Sequence, residues 1–366
     1  MSNQSITRTI GIAVDLGSTN IGVSCFDMNH KVEICSFSFS NPQHIYGADI
    51  ISRIKRCIED SCNLEKMKKC VLDSLKKELQ ERLGFDYRYI KTIVYTGNTT
   101  MMHIIRGLAV DGLAYAPFKP VDLSYYSEET DGVTYHYLPG VSAFVGADIL
   151  AGAYYLQLGN KNSYDLLIDL GTNGELLLIN EEHGYATSTA CGPVFDHVVT
   201  GAKYGSESMN VIGKCLKRGL IDSTGKLADS LFETGINIRP DMIIKQEHIR
   251  NFQLAKAAIY AGVQCLLEKS DIRVQDVDKV YISGGLGFYM DIEDVFTLNM
   301  LPIEWKNRIQ ICGNTSLEGA KQYMLADESE RRHILHAYTS MYNRMISFEL
   351  ANLDTFNEVF IKSLEF

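Results

Sequence analysis

The sequence IGIAVDLGSTN at residues 10–20 has a close counterpart in YDLLIDLGTNG at residues 164–174. Each string is a short apolar run that ends in an aspartate, Asp15 or Asp169, and continues into a leucine, a glycine and small polar residues. A second apolar run follows each string directly. Apolar runs of this length, separated by a glycine turn, are typical of a buried strand and its return strand. The sequence therefore predicts a strand–turn–strand unit at the head of each of two halves.

The two turns carry residue types that hold phosphate groups. Backbone N–H groups converge in a tight turn, glycine lets the backbone approach a ligand closely, and serine or threonine adds a hydroxyl donor. An aspartate that ends the preceding strand can hold Mg²⁺ directly or through water. We therefore predict ATP-binding residues in both turns, with Asp15 and Asp169 as catalytic, metal-holding residues. The ATP-binding residues are Gly17, Ser18, Thr19 and Asn20 in the first turn and Gly171, Thr172 and Asn173 in the second.

Each turn alone is also compatible with an ordinary hairpin, since aspartate and glycine are common turn residues. Their recurrence, each time after a buried strand, favours a functional role. A third glycine turn follows the predicted strand at residues 280–283, and its flat backbone can lie against a purine ring. Its glycines are Gly284, Gly285 and Gly287. Glu175, just after the second turn, is expected either to contact the water ligands of the metal or to lie solvated on a strand.

The composition restricts the classes of function. The chain has 366 residues, enough for roughly two domains. Its formal net charge of −10 disfavours a nucleic-acid partner, which needs clustered Lys and Arg. No apolar stretch approaches the roughly 20 residues of a membrane-spanning helix, and no secretory signal is visible. The nine cysteines have no disulfide-framework spacing. We therefore expect a cytoplasmic protein with reduced thiols and no membrane partner.

Between the turns, the pattern alternates between strands and helices. Apolar residues at helical spacing predict a helix over residues 48–59, and an Ala- and Gly-rich stretch predicts another over residues 144–158. The longest predicted helix covers residues 247–269. The isolated histidines, His103, His136 and His197, are expected to be structural or exposed. Cys191 is expected to be a small buried residue rather than a reactive thiol.

The three glycine turns, in this order, resemble those of the actin-like ATPase superfamily, which includes sugar kinases and heat-shock chaperones. The resemblance implies an α/β, two-lobed actin-like (ribonuclease H-like) ATPase fold, with duplicated mixed β-sheets, helices on both faces, and ATP with Mg²⁺ between the lobes. It assigns residues 1–143 to the first lobe and residues 144–325 to a connecting helix and the second lobe. Residues 326–366 are then a C-terminal segment that returns to the first lobe.

Longer strings resemble the ATPase domain of reductive activators of corrinoid proteins over nearly the whole chain. They include NPQ at residues 41–43, GNTTM at 97–101, FVGAD at 144–148, STACGP at 188–193 and LAKAAI at 254–259. The resemblance implies that ATP binding and hydrolysis drive an uphill electron transfer to corrinoid-bound cobalt, which must be Cob(I) to accept a methyl group. It also implies that a corrinoid protein is the partner.

The chain departs from that family in its iron–sulfur chemistry. Members carry a [2Fe–2S] cluster on an N-terminal ferredoxin-like domain, but this sequence has no plant-type C-x₄-C-x₂-C run. Cys57 and Cys62 have the first spacing, whereas Cys70 comes too late, and all three lie on predicted helices. We therefore expect no iron–sulfur cluster in this chain and a separate ferredoxin-like electron donor. A homodimer is also compatible with the resemblance.

Two further assignments follow from the resemblance. In the superfamily, a carboxylate or glutamine at the start of the first connecting helix orients the attacking water, and Asp148 matches this position; an aspartate there is also a common helix cap. The family usually has a Cys-Gly-Ser-Gly turn where this chain has GSES at residues 205–208. Gly205 is therefore expected to bind ATP, and Glu207 replaces a glycine, so nucleotide affinity or base preference is expected to differ.

Two other functions fit the same sequence. A small-molecule kinase on the actin-like fold would need a substrate pocket with a general base near the γ-phosphate. A nucleotide-switched binding module without turnover is favoured by the missing redox domain and the altered GSES turn.

Overall fold

The structure, a computed structural model, describes residues 9–83, 87–192, 205–284 and 290–366. The first mixed sheet within these residues has the strand order β3-β2-β1-β4-β6-β5. Its strands are β1 (Ile10–Leu16), β2 (Asn20–Asp27), β3 (Val32–Ser40), β4 (Ile90–Gly97), β5 (Tyr126–Thr130) and β6 (Val133–Tyr137).

The second mixed sheet has the strand order β13-β12-β7-β8-β9-β14, and β10 pairs with β11 as a separate hairpin. These strands are β7 (Tyr164–Leu170), β8 (Gly174–Ile179), β9 (Gly184–Thr189), β10 (Ile236–Arg239), β11 (Met242–Ile244), β12 (Val277–Ser283), β13 (Ile309–Gly313) and β14 (Met345–Ser347).

Helices occupy the connections between these strands. They are α1 (Ile50–Glu59), α2 (Cys62–Leu83), α3 (Thr99–Arg106), α4 (Ala147–Tyr155), α5 (Gly205–Lys217), α6 (Gln246–Ser270), α7 (Ile292–Thr297), α8 (Thr315–Leu325), α9 (Glu328–Asn343) and α10 (Asp354–Lys362). Asn98 caps α3 by accepting a hydrogen bond from the Met101 N–H, and Asp49 caps α1 in the same way through Ser52. In the parts of the chain that the structure describes, every helix is too short or too polar to span a lipid bilayer.

The two sheets repeat one arrangement of five strands. The order β3-β2-β1-β4-β6 in the first sheet corresponds to β9-β8-β7-β12-β13 in the second. In both, the central strand pairs antiparallel with the strand that follows it and parallel with a strand that comes later in the chain. The strand–turn–strand repeat and the duplicated mixed sheets predicted from the sequence are therefore confirmed.

The chain forms two compact units. Unit 1 contains residues 1–156 and 315–343, and unit 2 contains residues 157–314 and 344–366. These boundaries differ from those expected from the sequence, because α4 and α8 group with unit 1 and residues 344–366 group with unit 2, whereas residues 326–343 group with unit 1 as expected. The reason for the first difference is a close helix contact: a Cβ placed on Gly319 of α8 would lie 2.2 Å from the carbonyl oxygen of Ala151 in α4.

Two buried histidines of unit 1 are held in the neutral form. His103 Nδ1 donates to the carbonyl of Thr99 at 2.8 Å, and its Nε2 accepts from the Val121 N–H at 3.1 Å. His136 Nδ1 shares a 2.8 Å hydrogen bond with the Tyr125 hydroxyl. Burial lowers the pKa of His103, and burial together with the positive charge of Arg331 lowers the pKa of His136 to about 4. Both histidines are therefore structural, as the sequence predicts.

We expect the protein to lose stability as the pH falls from about 6.5, the pKa of an unfolded histidine, toward about 4. Between these pH values the histidines of the unfolded chain bind protons that the folded chain excludes. Above pH about 6.5 the contribution of these histidines to the free energy of unfolding no longer changes with pH. The His136→Gln variant should show a shallower fall of the urea midpoint with pH than the wild type. His336→Gln, at an exposed position of α9, is the control. Equal slopes for His136→Gln and the wild type would contradict the assignment.

Candidate functional site

The first candidate turn, residues 17–19, joins β1 to β2 in a very tight connection. Asp15 pairs with Gly22 across this hairpin, and Leu16 pairs with Ile21. A Cβ placed on Gly17 would lie 2.3 Å from the carbonyl oxygen of Asn20. Glycine is therefore required at this position, because the space that a side chain would occupy is filled by the turn's own backbone.

Asn41, which follows β3, holds the first turn from behind. Its backbone N–H donates to the Thr19 carbonyl at 2.7 Å, and its side-chain Nδ2 donates to the Gly17 carbonyl at 2.8 Å. The side chain is fully buried. Two carbonyl groups of the turn are thus occupied by one residue, which fixes the turn's conformation. No local sequence pattern marks Asn41 as a partner of the turn, because its contact with the turn depends on the pairing of β2 with β3.

Asp15 lies at the edge where β1 and β4 end. In this parallel pair Asp15 is in register with Thr96, and Leu16 with Gly97. The Ser316 hydroxyl, in the first turn of α8, donates to Asp15 Oδ1 at 3.0 Å and lies 3.4 Å from Thr96 Oγ1. Gly97 has φ +150°, and a Cβ there would lie 2.6 Å from the Leu16 carbonyl oxygen. A serine hydroxyl thus orients the Asp15 carboxylate beside a strand end that only glycine fits.

Asp148 lies near the same edge of the first sheet. A Cβ on Gly146, the residue before α4, would lie 2.5 Å from both the Gly97 carbonyl oxygen and the Asn98 Cα. The start of α4 therefore packs directly on the end of β4. Asp148 is half-buried in the first turn of α4, where its Oδ1 accepts from the Ile149 N–H at 2.9 Å. The N-terminus of a helix favours negative charge, and the catalytic role of Asp148 stays a prediction.

The second candidate turn, residues 171–173, joins β7 to β8. Its Gly171 N–H donates to the Asn173 carbonyl at 3.0 Å, and Thr172 is buried. Unlike Gly17, Gly171 has room for a Cβ, whose nearest neighbour would be 3.5 Å away. The glycine that packing requires here is Gly174, since a Cβ on it would lie 2.8 Å from Cys191 Sγ. Sequence reasoning missed Gly174 as a site residue because the partner comes from a later strand end.

Asp169 has an environment equivalent to that of Asp15. It is in register with Ser283 of the parallel strand β12, and the Ser283 hydroxyl donates to Asp169 Oδ2 at 2.9 Å. Gly284 has φ +95°, and a Cβ there would lie 2.4 Å from the Leu170 carbonyl oxygen and 2.8 Å from Asp169 Oδ1. Both units therefore combine a strand-ending aspartate, a serine hydroxyl and a strand-ending glycine. Gly285 and Gly287 lie outside the described residues.

Glu175 and Cys191 flank the second turn. Glu175 is opposite Asp169 in the β7–β8 pair and is only 7% exposed, so it is not a solvated strand residue. Cys191 is also buried. Burial and the negative charge of Glu175 raise the pKa of the Cys191 thiol. A buried thiol with a raised pKa is a poor nucleophile, which agrees with the structural role predicted for Cys191.

Gly205 begins α5, and Glu207 lies in its first turn. The Glu207 carboxylate forms an ion pair with both terminal nitrogens of Arg239, which comes from β10. Arg239 Nε also donates to Asp241 at 3.0 Å. The charge of Glu207 is therefore partly neutralised within unit 2. Its effect on nucleotide affinity stays a prediction, as does ATP binding by Gly205.

The donor atoms of each unit suit a magnesium ion. Asp15 and Asp169 supply carboxylate oxygens, the ligands that Mg²⁺ prefers, and each is oriented by a serine hydroxyl. Within the described residues, no group of three or more His, Cys, Asp or Glu side chains is arranged as a metal-binding cluster. Mg²⁺ commonly keeps several water and phosphate ligands. The arrangement fits such an ion better than a metal ion whose ligands are all protein side chains.

Two family models cover most of the chain. A model described as the RACo middle region matches residues 10–161. A model described as the C-terminal domain of RACo, the ASKHA domain, matches residues 200–366. The ASKHA match confirms the actin-like fold class that the sequence predicts.

Individual relatives and a solved structure agree with these matches. The corrinoid activation enzyme RamQ of Eubacterium limosum is 28% identical over an alignment 395 positions long with its gaps, and the alignment covers 89% of this chain and 66% of that protein. The [Co(II) methylated amine-specific corrinoid protein] reductase of Methanosarcina barkeri is 21% identical, covering 93% of this chain and 76% of the reductase. A solved reductive activator for corrinoid, iron–sulfur protein superposes with a TM-score of 0.89 at 27% identity, covering 100% of this chain and 67% of that one. The chain therefore belongs to the family that shares the RACo middle region and the RACo C-terminal ASKHA domain.

Proposed function

We propose that this protein is an ATP-hydrolysing reductive activator, which couples ATP hydrolysis to the reduction of a corrinoid protein. The observation that carries the proposal is an arrangement that occurs once in each unit, at the edge of the mixed sheet. There, a serine hydroxyl orients an aspartate, and the neighbouring strand ends in a glycine at a position that admits no side chain. The edge comprises Asp15, Ser316 and Gly97 in unit 1 and Asp169, Ser283 and Gly284 in unit 2. The names of the relatives, a corrinoid activation enzyme and a corrinoid protein reductase, support the redox part of the proposal.

The residues have distinct roles in this proposal. The N–H groups and hydroxyls of residues 17–20 and 171–173 bind phosphate oxygens, and Gly284 contributes flat backbone for the nucleoside. Asp15 and Asp169 hold the water ligands of Mg²⁺, which neutralises phosphate charge when bound, and Glu175 supports Asp169 from the next strand. Asp148 orients the attacking water. Phosphoryl transfer needs positioning and charge neutralisation more than covalent chemistry, and these residues supply both.

The partners are part of the same proposal. The corrinoid protein receives one electron per cobalt, converting Cob(II) to Cob(I). Cys57 and Cys62 lie on two different helices, α1 and α2, so we propose that a separate ferredoxin-like protein supplies the electron. The proposal also includes a cytoplasmic location, compatibility with a homodimer, and no nucleic-acid partner.

The test uses the full chain with ATP, Mg²⁺, a reduced ferredoxin and a Cob(II) corrinoid protein. We expect ADP release, together with the visible-absorption change of Cob(II) to Cob(I) only when ATP is present. ATP replaced by a non-hydrolysable analogue is the control. A protein that neither binds nor hydrolyses ATP would contradict the proposal. ADP release that rises only with added sugars or acids would favour a small-molecule kinase, and nucleotide binding without turnover would favour a switched binding module.

A further inference from the structure

Arg53 of α1 is a buried positive charge in unit 1. Its side chain is 1% exposed. Its Nε donates to the Gly47 carbonyl at 3.1 Å and one terminal nitrogen donates to Gln43 Oε1 at 3.4 Å. Both acceptors are neutral. Burial lowers the pKa of Arg53 to about 10, so the guanidinium is still charged at neutral pH.

A charge in this setting is costly unless something compensates it. Among the residues that the structure describes, no carboxylate lies within ion-pair distance of Arg53; the N-cap residue Asp49 acts on it only at longer range. A neutral side chain of similar length would fill the same space without that cost. A bound anion in the neighbourhood of Arg53 would offset part of this cost.

The guanidinium is joined to the first phosphate turn, residues 17–19, by a short polar chain. The Gln43 backbone N–H donates to Asn41 Oδ1 at 2.9 Å, and Asn41 Nδ2 donates to the Gly17 carbonyl at 2.8 Å. Arg53 and Asn41 also share a neighbour, because one side-chain nitrogen of each lies 3.7 Å from Met101 Sδ. The Met101 sulfur atom is thus a common neighbour of the Arg53 guanidinium and of the Asn41 side-chain amide that holds the turn.

We propose that Arg53 is a positioning residue of the first phosphate turn, which attracts the phosphates of a bound nucleotide through the protein interior and braces the turn through Gln43 and Asn41. The inference rests on the proposed function, since a nucleotide must bind at this turn. Arg53 does not touch the nucleotide. Its charge acts because the interior, with an effective dielectric constant of about 20, screens far less than water. The phosphates in turn compensate the buried guanidinium.

This role has a signature that a purely structural role lacks. In the proposed mode of binding the β- and γ-phosphates lie at the turn, so the positive charge behind it acts mainly on these two groups. Its loss should therefore weaken ATP binding more than ADP binding, and AMP binding least. Loss of the brace alone would weaken all three alike. The affinity ratio of ATP to AMP therefore reports the electrostatic part.

The experiment measures the Kd values of ATP, ADP and AMP by calorimetry on the full chain and its variants. Arg53→Met removes the charge and should weaken ATP binding about tenfold, ADP binding about threefold and AMP binding little. Arg53→Lys keeps the charge and should retain the preference for ATP over AMP. Arg56→Met is the control, because Arg56 lies on the same helix with a 60% exposed side chain paired with Glu59, and it should bind like the wild type.

The outcomes separate the inference from the proposed function. A folded Arg53→Met protein that binds ATP as the wild type does, or that loses affinity equally for all three nucleotides, overturns the inference alone. If Arg53→Met does not fold, Arg53→Lys decides: retained ATP-over-AMP preference supports the inference, and its loss in a folded protein overturns it. A wild-type protein that binds no nucleotide overturns the proposed function and this inference with it.

Discussion

Alanine in place of Gly284 is expected to lower ATP turnover by about a hundredfold or more, because a small misplacement of reacting groups has effects of this size. The backbone at Gly284 has φ +95°, which is unfavourable for an L-residue. The added Cβ would also lie 2.4 Å from the Leu170 carbonyl oxygen and 2.8 Å from Asp169 Oδ1. The end of β7 cannot move away without shifting the aspartate, so the clash acts on the proposed metal-holding carboxylate.

Gly219 offers a matched control for this substitution. It belongs to the same unit and has φ +68°, but a Cβ on it would meet nothing within 4 Å. Gly219→Ala therefore carries backbone strain of roughly 1 kcal/mol without any clash. Steady-state ATPase rates and thermal midpoints of both variants separate the two effects. Equal turnover for Gly284→Ala and Gly219→Ala would show that the close contact with Asp169 has no role in turnover.

The second large effect is expected at Asp15. Asparagine keeps an oxygen that can accept the Ser316 hydroxyl at the present 3.0 Å contact, so the fold should be retained. It removes the negative charge that holds the magnesium water ligands in the proposed mechanism. We expect turnover to fall by about a hundredfold or more, a size typical for a lost catalytic electrostatic contact, with a thermal midpoint close to that of the wild type.

Asp73→Asn makes the same change of charge at an exposed position of α2 in the same unit. It should leave ATPase activity unchanged, which excludes an effect of net charge. ATP turnover measured over a range of Mg²⁺ concentrations adds a second readout, since the Asp15→Asn protein should need more Mg²⁺ to reach half its maximal rate. An Asp15→Asn protein with wild-type turnover and wild-type Mg²⁺ dependence would remove Asp15 from the site.

Sequence reasoning succeeded where the signal is local. A strand ending in aspartate and followed by a glycine turn is encoded within about ten residues, so both turns could be located directly. The same reasoning was incomplete for α1. The apolar pattern of residues 48–59 correctly predicts a helix, yet Ile51 is 66% exposed and Ile58 43%, whereas Arg53 is buried. Helical spacing indicates a helix, but the face that is covered depends on the elements packed against it.

The sequence by itself determined that two glycine turns occur, each after a buried strand, and that an aspartate, Asp15 or Asp169, lies near the end of each strand. Only the tertiary structure decided which groups surround them. The hydroxyl that orients Asp15 comes from Ser316, 301 residues later in the chain, and the one that orients Asp169 comes from Ser283, 114 residues later. Turn chemistry is set by neighbours in sequence, whereas hydrogen-bond partners at a sheet edge are set by strand register and helix packing, which no local pattern encodes.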